Sequence, residues 1–64
     1  MRLTDFWDRM GFVFGPAYAD SVARDQVLSE LGGRSVHDAL GDGENVAWVW
    51  RRVCEHFDVP ARDR

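Results

Sequence analysis

The segment from Asn45 to Phe57 separates apolar from polar side chains more clearly than any other part of this 64-residue chain. Its apolar residues recur at spacings of three and four, and they fall on one face of a helix: Val46, Val49, Trp50, Val53, Cys54 and Phe57. Such a stripe is typical of a helix that covers a hydrophobic core with one side. The pattern therefore predicts an α-helix over 45–57 whose apolar face is buried.

Three other segments also carry helical patterns, and glycine-containing turns separate all four. The predicted helical segments are 4–14, with Thr4 as the cap of the first helix, 16–31, 35–41 and 45–57. No segment shows the alternating pattern of a β-strand. A chain of this length builds only one core. We therefore predict a single all-α domain over 1–64, a compact bundle of three longer helices plus one short helix. Its ordered core spans about 3–59, and the tail over 60–64 is expected to be mobile.

The apolar positions of the four segments predict the residues of the core. Those expected to be buried are Phe6, Trp7, Met10, Phe14, Tyr18, Val22, Val27, Leu31, Leu40, Val49, Trp50, Val53 and Phe57. The apolar residues of the second segment surround much of the helical wheel. Two interpretations follow: either this segment is a central helix with neighbours on two sides, or it bends partway.

Charge and cysteine content limit the environment and the partners. The formal net charge is −3, which opposes attraction to phosphate backbones, and only Arg51 and Arg52 are adjacent basic residues. Cys54 is the single cysteine, so the chain lacks the internal disulfides expected of a small secreted domain. No apolar run has the length of a signal peptide or of a membrane span. These features predict a cytoplasmic protein that neither enters a membrane nor favours nucleic acid.

No combination of residues in the sequence indicates catalysis or a bound cofactor. There is no glycine-rich phosphate loop, and so small a domain leaves little room for a pocket. His37, Cys54 and His56 are metal-ligand types, but Cys54 and His56 are two residues apart on a helix and point in roughly opposite directions. We therefore expect no enzymatic activity, no cofactor, no metal and no small-molecule substrate.

Several short motifs together resemble a known family. They are Phe6–Trp7, the Phe14–Gly15–Pro16 turn, the segment Leu31–Gly32–Gly33–Arg34 at the end of the second predicted helix, and Val49–Trp50–Arg51 leading to Cys54. Across nearly the whole chain they are similar to a small actinobacterial family, the domain of unknown function 3046. The resemblance implies a compact, helical, cytoplasmic protein that is often encoded near the recombinase RecA and its regulator RecX. It implies no activity, and Trp48 departs from the charged residues that the family more often has in that segment.

The polar face of the last helix is the candidate interaction surface. It carries Trp48, Arg51, Arg52 and Glu55. The sequence leaves two interpretations of Trp48 open: its ring lies on the surface under the Arg52 guanidinium, or it anchors a partner. The leading functional prediction is a non-catalytic module that binds another, unknown protein. The alternative is a nucleic-acid-binding protein linked to DNA repair or recombination, in which residues 35–57 form a helix-turn-helix.

Overall fold

In the computed structural model, which describes residues 1–64, the chain forms four α-helices, two very short strands and two 3-10 turns. The α-helices are α1 (Leu3–Phe14), α2 (Pro16–Asp25), α3 (Val36–Gly41) and α4 (Val46–Phe57). The strands are β1 (Val27–Leu28) and β2 (Arg34–Ser35), and the 3-10 turns are Ser29–Leu31 and Ala61–Asp63. None of the helices has the length and apolar character that crossing a membrane requires. The fold is thus mostly helical, as predicted, but it is not strictly all-α.

The correction to the fold class lies between α2 and α3. The predicted second helix ends at Asp25 instead of Leu31, because Gln26 adopts an extended backbone with φ −90° and ψ 126°. β1 then pairs with β2 in an antiparallel hairpin. Gly32 and Gly33 close the hairpin at positive φ values of 69° and 79°, which glycine adopts without a steric penalty. Strands of two residues are too short to show an alternating pattern, and this is why the sequence did not predict them.

Side-chain caps fix where α3 and α4 begin. The Ser35 hydroxyl accepts a hydrogen bond from the backbone N–H of Asp38 at 3.1 Å. The Asn45 side-chain oxygen accepts one from the backbone N–H of Trp48 at 3.0 Å. Each bond satisfies a backbone donor that has no partner within the helix. The sequence predicted the cap at Ser35, and this is confirmed. For α4 it left Asp42 and Asn45 as alternatives, and the cap is Asn45. The predicted cap at Thr4 was wrong, because α1 already begins at Leu3.

The core lies where α1, α2, α3 and α4 meet the hairpin. Its buried apolar residues are Phe6, Met10, Ala19, Ala23, Leu28, Leu31, Val36, Ala39, Val49, Trp50, Val53, Cys54 and Val59. The predicted burial of Tyr18 and Val27 was wrong, since these side chains are 70% and 62% exposed. Helix α2 buries its small residues Ala19 and Ala23, which turns Tyr18 outward. In β1, Leu28 points inward and Val27 therefore points to solvent.

Trp50 connects the core to the segment that follows α4. Its ring packs edge-on against Phe6, with 5.8 Å between ring centroids. Its indole N–H donates a hydrogen bond to the main-chain oxygen of Arg64 at 3.1 Å. The Arg64 Nε in turn donates to the main-chain oxygen of Val59 at 2.7 Å. The mobility expected for residues 60–64 concerns motion and stays a prediction, but these contacts place the segment against the buried indole.

Candidate protein-binding surfaces

Trp48 is half-buried, and its side chain packs against the hydrophobic core. Its place on the polar side of the helical wheel had indicated an exposed side chain. A helical wheel gives only the direction in which a side chain leaves the helix, and an indole is large enough to reach beyond that direction. The guanidinium carbon of Arg52 lies 5.7 Å from the centroid of the Trp48 ring, within the range of a cation–π interaction. The contact that the first interpretation of Trp48 requires is therefore present.

The other residues predicted on this face differ in the hydrogen bonds and ion pairs that they form. Arg52 Nη2 donates a hydrogen bond to Glu55 Oε1, so the guanidinium that covers Trp48 is also paired with a carboxylate. The Arg52 Nε is buried and has no hydrogen-bond partner. Arg51 is exposed and forms no ion pair. Arg52 therefore contacts both Trp48 and Glu55, and the role of these residues in binding a partner stays a prediction.

Most arginine side chains are neutralised by carboxylates close to them. Five of the eight form ion pairs: Arg2, Arg24, Arg34, Arg52 and Arg62. Arg34 pairs with two carboxylates, with Nη2 at 2.6 Å from Glu44 and Nη1 at 3.1 Å from Asp42. Hydrogen bonds to Glu44 and then to Asp42 raise the pKa of Arg34. Arg34 is thus neutralised and does not offer a free basic group to a phosphate.

A groove between α1 and α2 is a surface feature that the sequence did not indicate. It has a volume of about 790 Å³ and is open to solvent. Small residues from the helix junction form much of its lining: Gly11, Gly15, Pro16 and Ala19. The aromatic side chains of Trp7 and Phe12 border it. Gly11 faces the start of α2 at this junction. The Cβ that Ala would place there lies 3.9 Å from the Cα of Pro16. The expectation of little room for a pocket was therefore wrong.

Phe12 is the most exposed large apolar residue of the chain, at 76%. It lies at the groove, whereas Tyr18, which is almost as exposed, does not contribute to the lining. The sequence did contain a signal for Phe12. Met10 and Phe14 define the buried stripe of α1, and a helical wheel places Phe12 about 200° from Met10 and from Phe14, on the polar side. An aromatic residue on the polar face of a helix is thus the signal that could have identified this position from the sequence.

Two carboxylates complete the lining of the groove. Asp8 is exposed and has no ion-pair partner, while Asp20 contacts two basic side chains. His37 Nε2 lies 3.1 Å from Asp20 Oδ1, and Arg24 Nε lies 3.0 Å from Asp20 Oδ2. The hydrogen bond with His37 is the largest influence on the pKa of Asp20 and lowers it, against a smaller opposing effect of desolvation. His37 also packs on Trp7, with 5.5 Å between ring centroids, so this side of the groove is supported by α3.

The residues considered as metal ligands lie apart from one another in the fold. Cys54 is in the core, where burial raises the pKa of its thiol. His56 Nδ1 pairs with Glu30 Oε1 at 2.8 Å, and His37 pairs with Asp20. No three His, Cys, Asp or Glu side chains come close enough together to hold a metal ion. The exposed aromatic groove and the α4 face therefore remain as the candidate sites.

Comparison with known proteins gives the chain a family. No curated protein and no solved structure matches it. A family model described as "Protein of unknown function (DUF3046)" matches residues 1–62, which is nearly the whole chain. The match agrees with the resemblance that the aromatic and glycine motifs had indicated. The chain therefore belongs to the DUF3046 family.

Proposed function

We propose that the protein is a non-catalytic module of the cytoplasm that binds another protein in the groove between α1 and α2. The observation that carries this proposal is the position of Phe12, a highly exposed aromatic side chain beside a concave surface. A single exposed apolar residue on a flat surface needs no explanation, but one that borders a groove is typical of an interaction site. Large aromatic residues also contribute a disproportionate share of the binding energy at protein interfaces.

Burial of Phe12 by a partner would stabilise the complex. Complete burial of a phenylalanine side chain contributes about 1.5–3 kcal/mol, and this protein leaves most of that contribution unused in its own fold. A complex in which the partner covers Phe12 would gain this free energy of burial. The small residues Gly11, Gly15 and Ala19 would let the partner's side chains approach the helix backbones closely.

The distribution of charge favours a protein over nucleic acid as the partner. Carboxylates neutralise most of the arginines, the groove contains no basic lining residue, and the net charge is −3. A nucleic-acid surface needs unpaired basic groups in a cluster. The family resemblance suggests recombination or DNA-repair proteins as the first partners to test. The buried thiol of Cys54 is consistent with a reducing compartment.

The test is site-specific photo-crosslinking in cells of the native host. A photoreactive phenylalanine analogue at position 12 is expected to give a discrete adduct with another protein. The same analogue at position 18 is the matched control, because Tyr18 is similarly exposed but lies outside the groove lining. Failure of position 12 to give a protein adduct would contradict the proposal. A fluorescence polarisation titration at low salt, with DNA and RNA, is expected to show no binding at tens of micromolar.

A further inference from the structure

We infer that the partner segment bound in the groove presents a large apolar side chain next to a basic one, Arg or Lys. This inference rests on the proposed function and specifies the chemistry of the ligand. It follows from two properties of the same surface. The bordering aromatic residues Trp7 and Phe12 favour an apolar group, and the unpaired carboxylate of Asp8 in the lining favours a positive one.

The apolar requirement comes from the shape and composition of the groove. At about 790 Å³ it is the size of a site that takes a few side chains. Gly11 and Ala19 keep the space between the helices open, and the ring of Phe12 stands at its edge. A large aliphatic or aromatic side chain from the partner would cover Phe12 and exclude water from the small residues beside it.

The basic requirement comes from Asp8. Its carboxylate lines the groove, is exposed and has no ion-pair partner, whereas Arg24 and His37 already occupy Asp20. An Arg or Lys beside the apolar anchor would pair with Asp8 and would compensate the negative charge of the site. Electrostatic complementarity of this kind selects partners and speeds their association.

The same charges argue against a second copy of this chain as the occupant. Two copies joined groove to groove would bring two Asp8 carboxylates toward one another. Each copy also has a net charge of −3, so association begins against repulsion. A basic segment of a different protein meets neither obstacle.

A peptide selection tests the inference. A random linear peptide library displayed on phage is selected against the whole chain at low salt and depleted on the Phe12→Ser variant. Enriched peptides are expected to combine a large apolar residue with Arg or Lys, and their binding should weaken with added salt. The affinity of a labelled enriched peptide is then measured by fluorescence polarisation.

Two matched variants separate the ion pair from the general effect of charge. Asp8→Asn is expected to weaken the enriched peptide about two- to fivefold, the range of an exposed ion pair. Asp58→Asn removes the same charge from an exposed position that is not part of the lining, and it should leave affinity unchanged. Asn also tolerates the left-handed backbone at position 58, where φ is 55°.

The outcomes distinguish the inference from the proposed function. Peptides that require Phe12 but lack basic residues, or that bind Asp8→Asn as well as the natural chain, would overturn the inference and leave the groove as a protein-binding site. If no enriched peptide discriminates the natural chain from Phe12→Ser, the proposed function fails and the inference fails with it.

Discussion

The groove between α1 and α2 and the outer face of α4 both carry an aromatic residue near charged ones, but they differ in how those groups are satisfied. On α4, Trp48 is half-buried beneath Arg52, and Arg52 is paired with Glu55. At the groove, Phe12 is exposed and Asp8 has no partner. The groove therefore presents an exposed aromatic ring and an unpaired carboxylate, whereas on α4 the fold itself partly covers the ring and pairs Arg52 with Glu55.

The largest expected effect is the loss of binding in Phe12→Ser. If Phe12 is the main anchor of the groove, its truncation should weaken an enriched peptide by at least about 2 kcal/mol, roughly 30-fold. The free energy of unfolding of the Phe12→Ser variant should change by no more than about 0.5 kcal/mol, because the Phe12 side chain contributes little to the core. Fluorescence polarisation and urea denaturation measure the two quantities.

Tyr18→Ser is the matched control for that experiment. It removes an aromatic side chain of similar exposure from a position outside the groove lining. We expect it to retain peptide affinity. Equal losses of affinity in both variants would show that general surface hydrophobicity, and not the groove, accounts for the binding.

Trp48→Ala should give the reverse result, a loss of stability with little loss of peptide affinity. Removing a half-buried indole and its cation–π contact should lower the free energy of unfolding by about 1–2 kcal/mol. Arg51→Ala, on the same face but exposed and unpaired, is the control and should change it by less than about 0.5 kcal/mol. A stable Trp48→Ala protein that no longer binds the peptide would move the interaction site to α4.

Gly11→Ala is expected to raise stability while it impairs the groove. Ala is favoured over Gly inside a helix by about 0.5–1 kcal/mol, and the added Cβ makes only an ordinary contact with Pro16. The new methyl group narrows the groove, so peptide affinity should fall. Gly41→Ala, in α3 with open space around it, is the control that should leave affinity intact. A gain of stability without loss of affinity would show that the partner does not approach Gly11.

The parts of the fold that could be predicted from sequence are those governed by local pattern. The stripe of α4 places Val49 and Val53 in the core, and α3 begins at the cap residue Ser35 that the sequence indicated. In each case the controlling interaction lies within a few residues along the chain. Such features require no knowledge of how the helices are arranged.

The features that could not be predicted depend on how two segments meet. Ala19 and Ala23 are buried because α2 approaches its neighbours closely, and this packing displaces the larger Tyr18 to the surface. The hairpin depends on pairing across Gly32 and Gly33. The groove likewise forms only where α1 and α2 meet, so the sequence pattern of either helix alone cannot predict it. The exposed position of Phe12 was readable from the helical wheel, but its location beside a groove was not.

The smallest expected effects concern two histidine–carboxylate pairs, one at each surface. The pKa of Asp20 is lowered from its ordinary 3.8, chiefly by hydrogen bonding to His37 and also by Arg24. The pKa of Glu30 is lowered from 4.5, chiefly by hydrogen bonding to His56, with support from its own backbone N–H and from Ser29. A carboxyl group with a lowered pKa stabilises the fold above its unfolded-state pKa, and this contribution is lost as the pH falls through the folded-state value.

Asp20→Asn and Glu30→Gln should therefore each be less stable than the natural chain at pH 5 to 7, and the difference should shrink as the pH falls below about 4. Urea denaturation across pH 2 to 7 measures this difference in the free energy of unfolding. A difference that grows toward low pH would contradict the assignment of these pairs. Peptide binding at pH 7 then separates the two surfaces. Asp20→Asn weakens the bond to His37, which packs on Trp7 at the groove, whereas Glu30 contacts α4, so only Asp20→Asn should weaken the peptide. Equal weakening by Glu30→Gln would mean that the two surfaces are not independent.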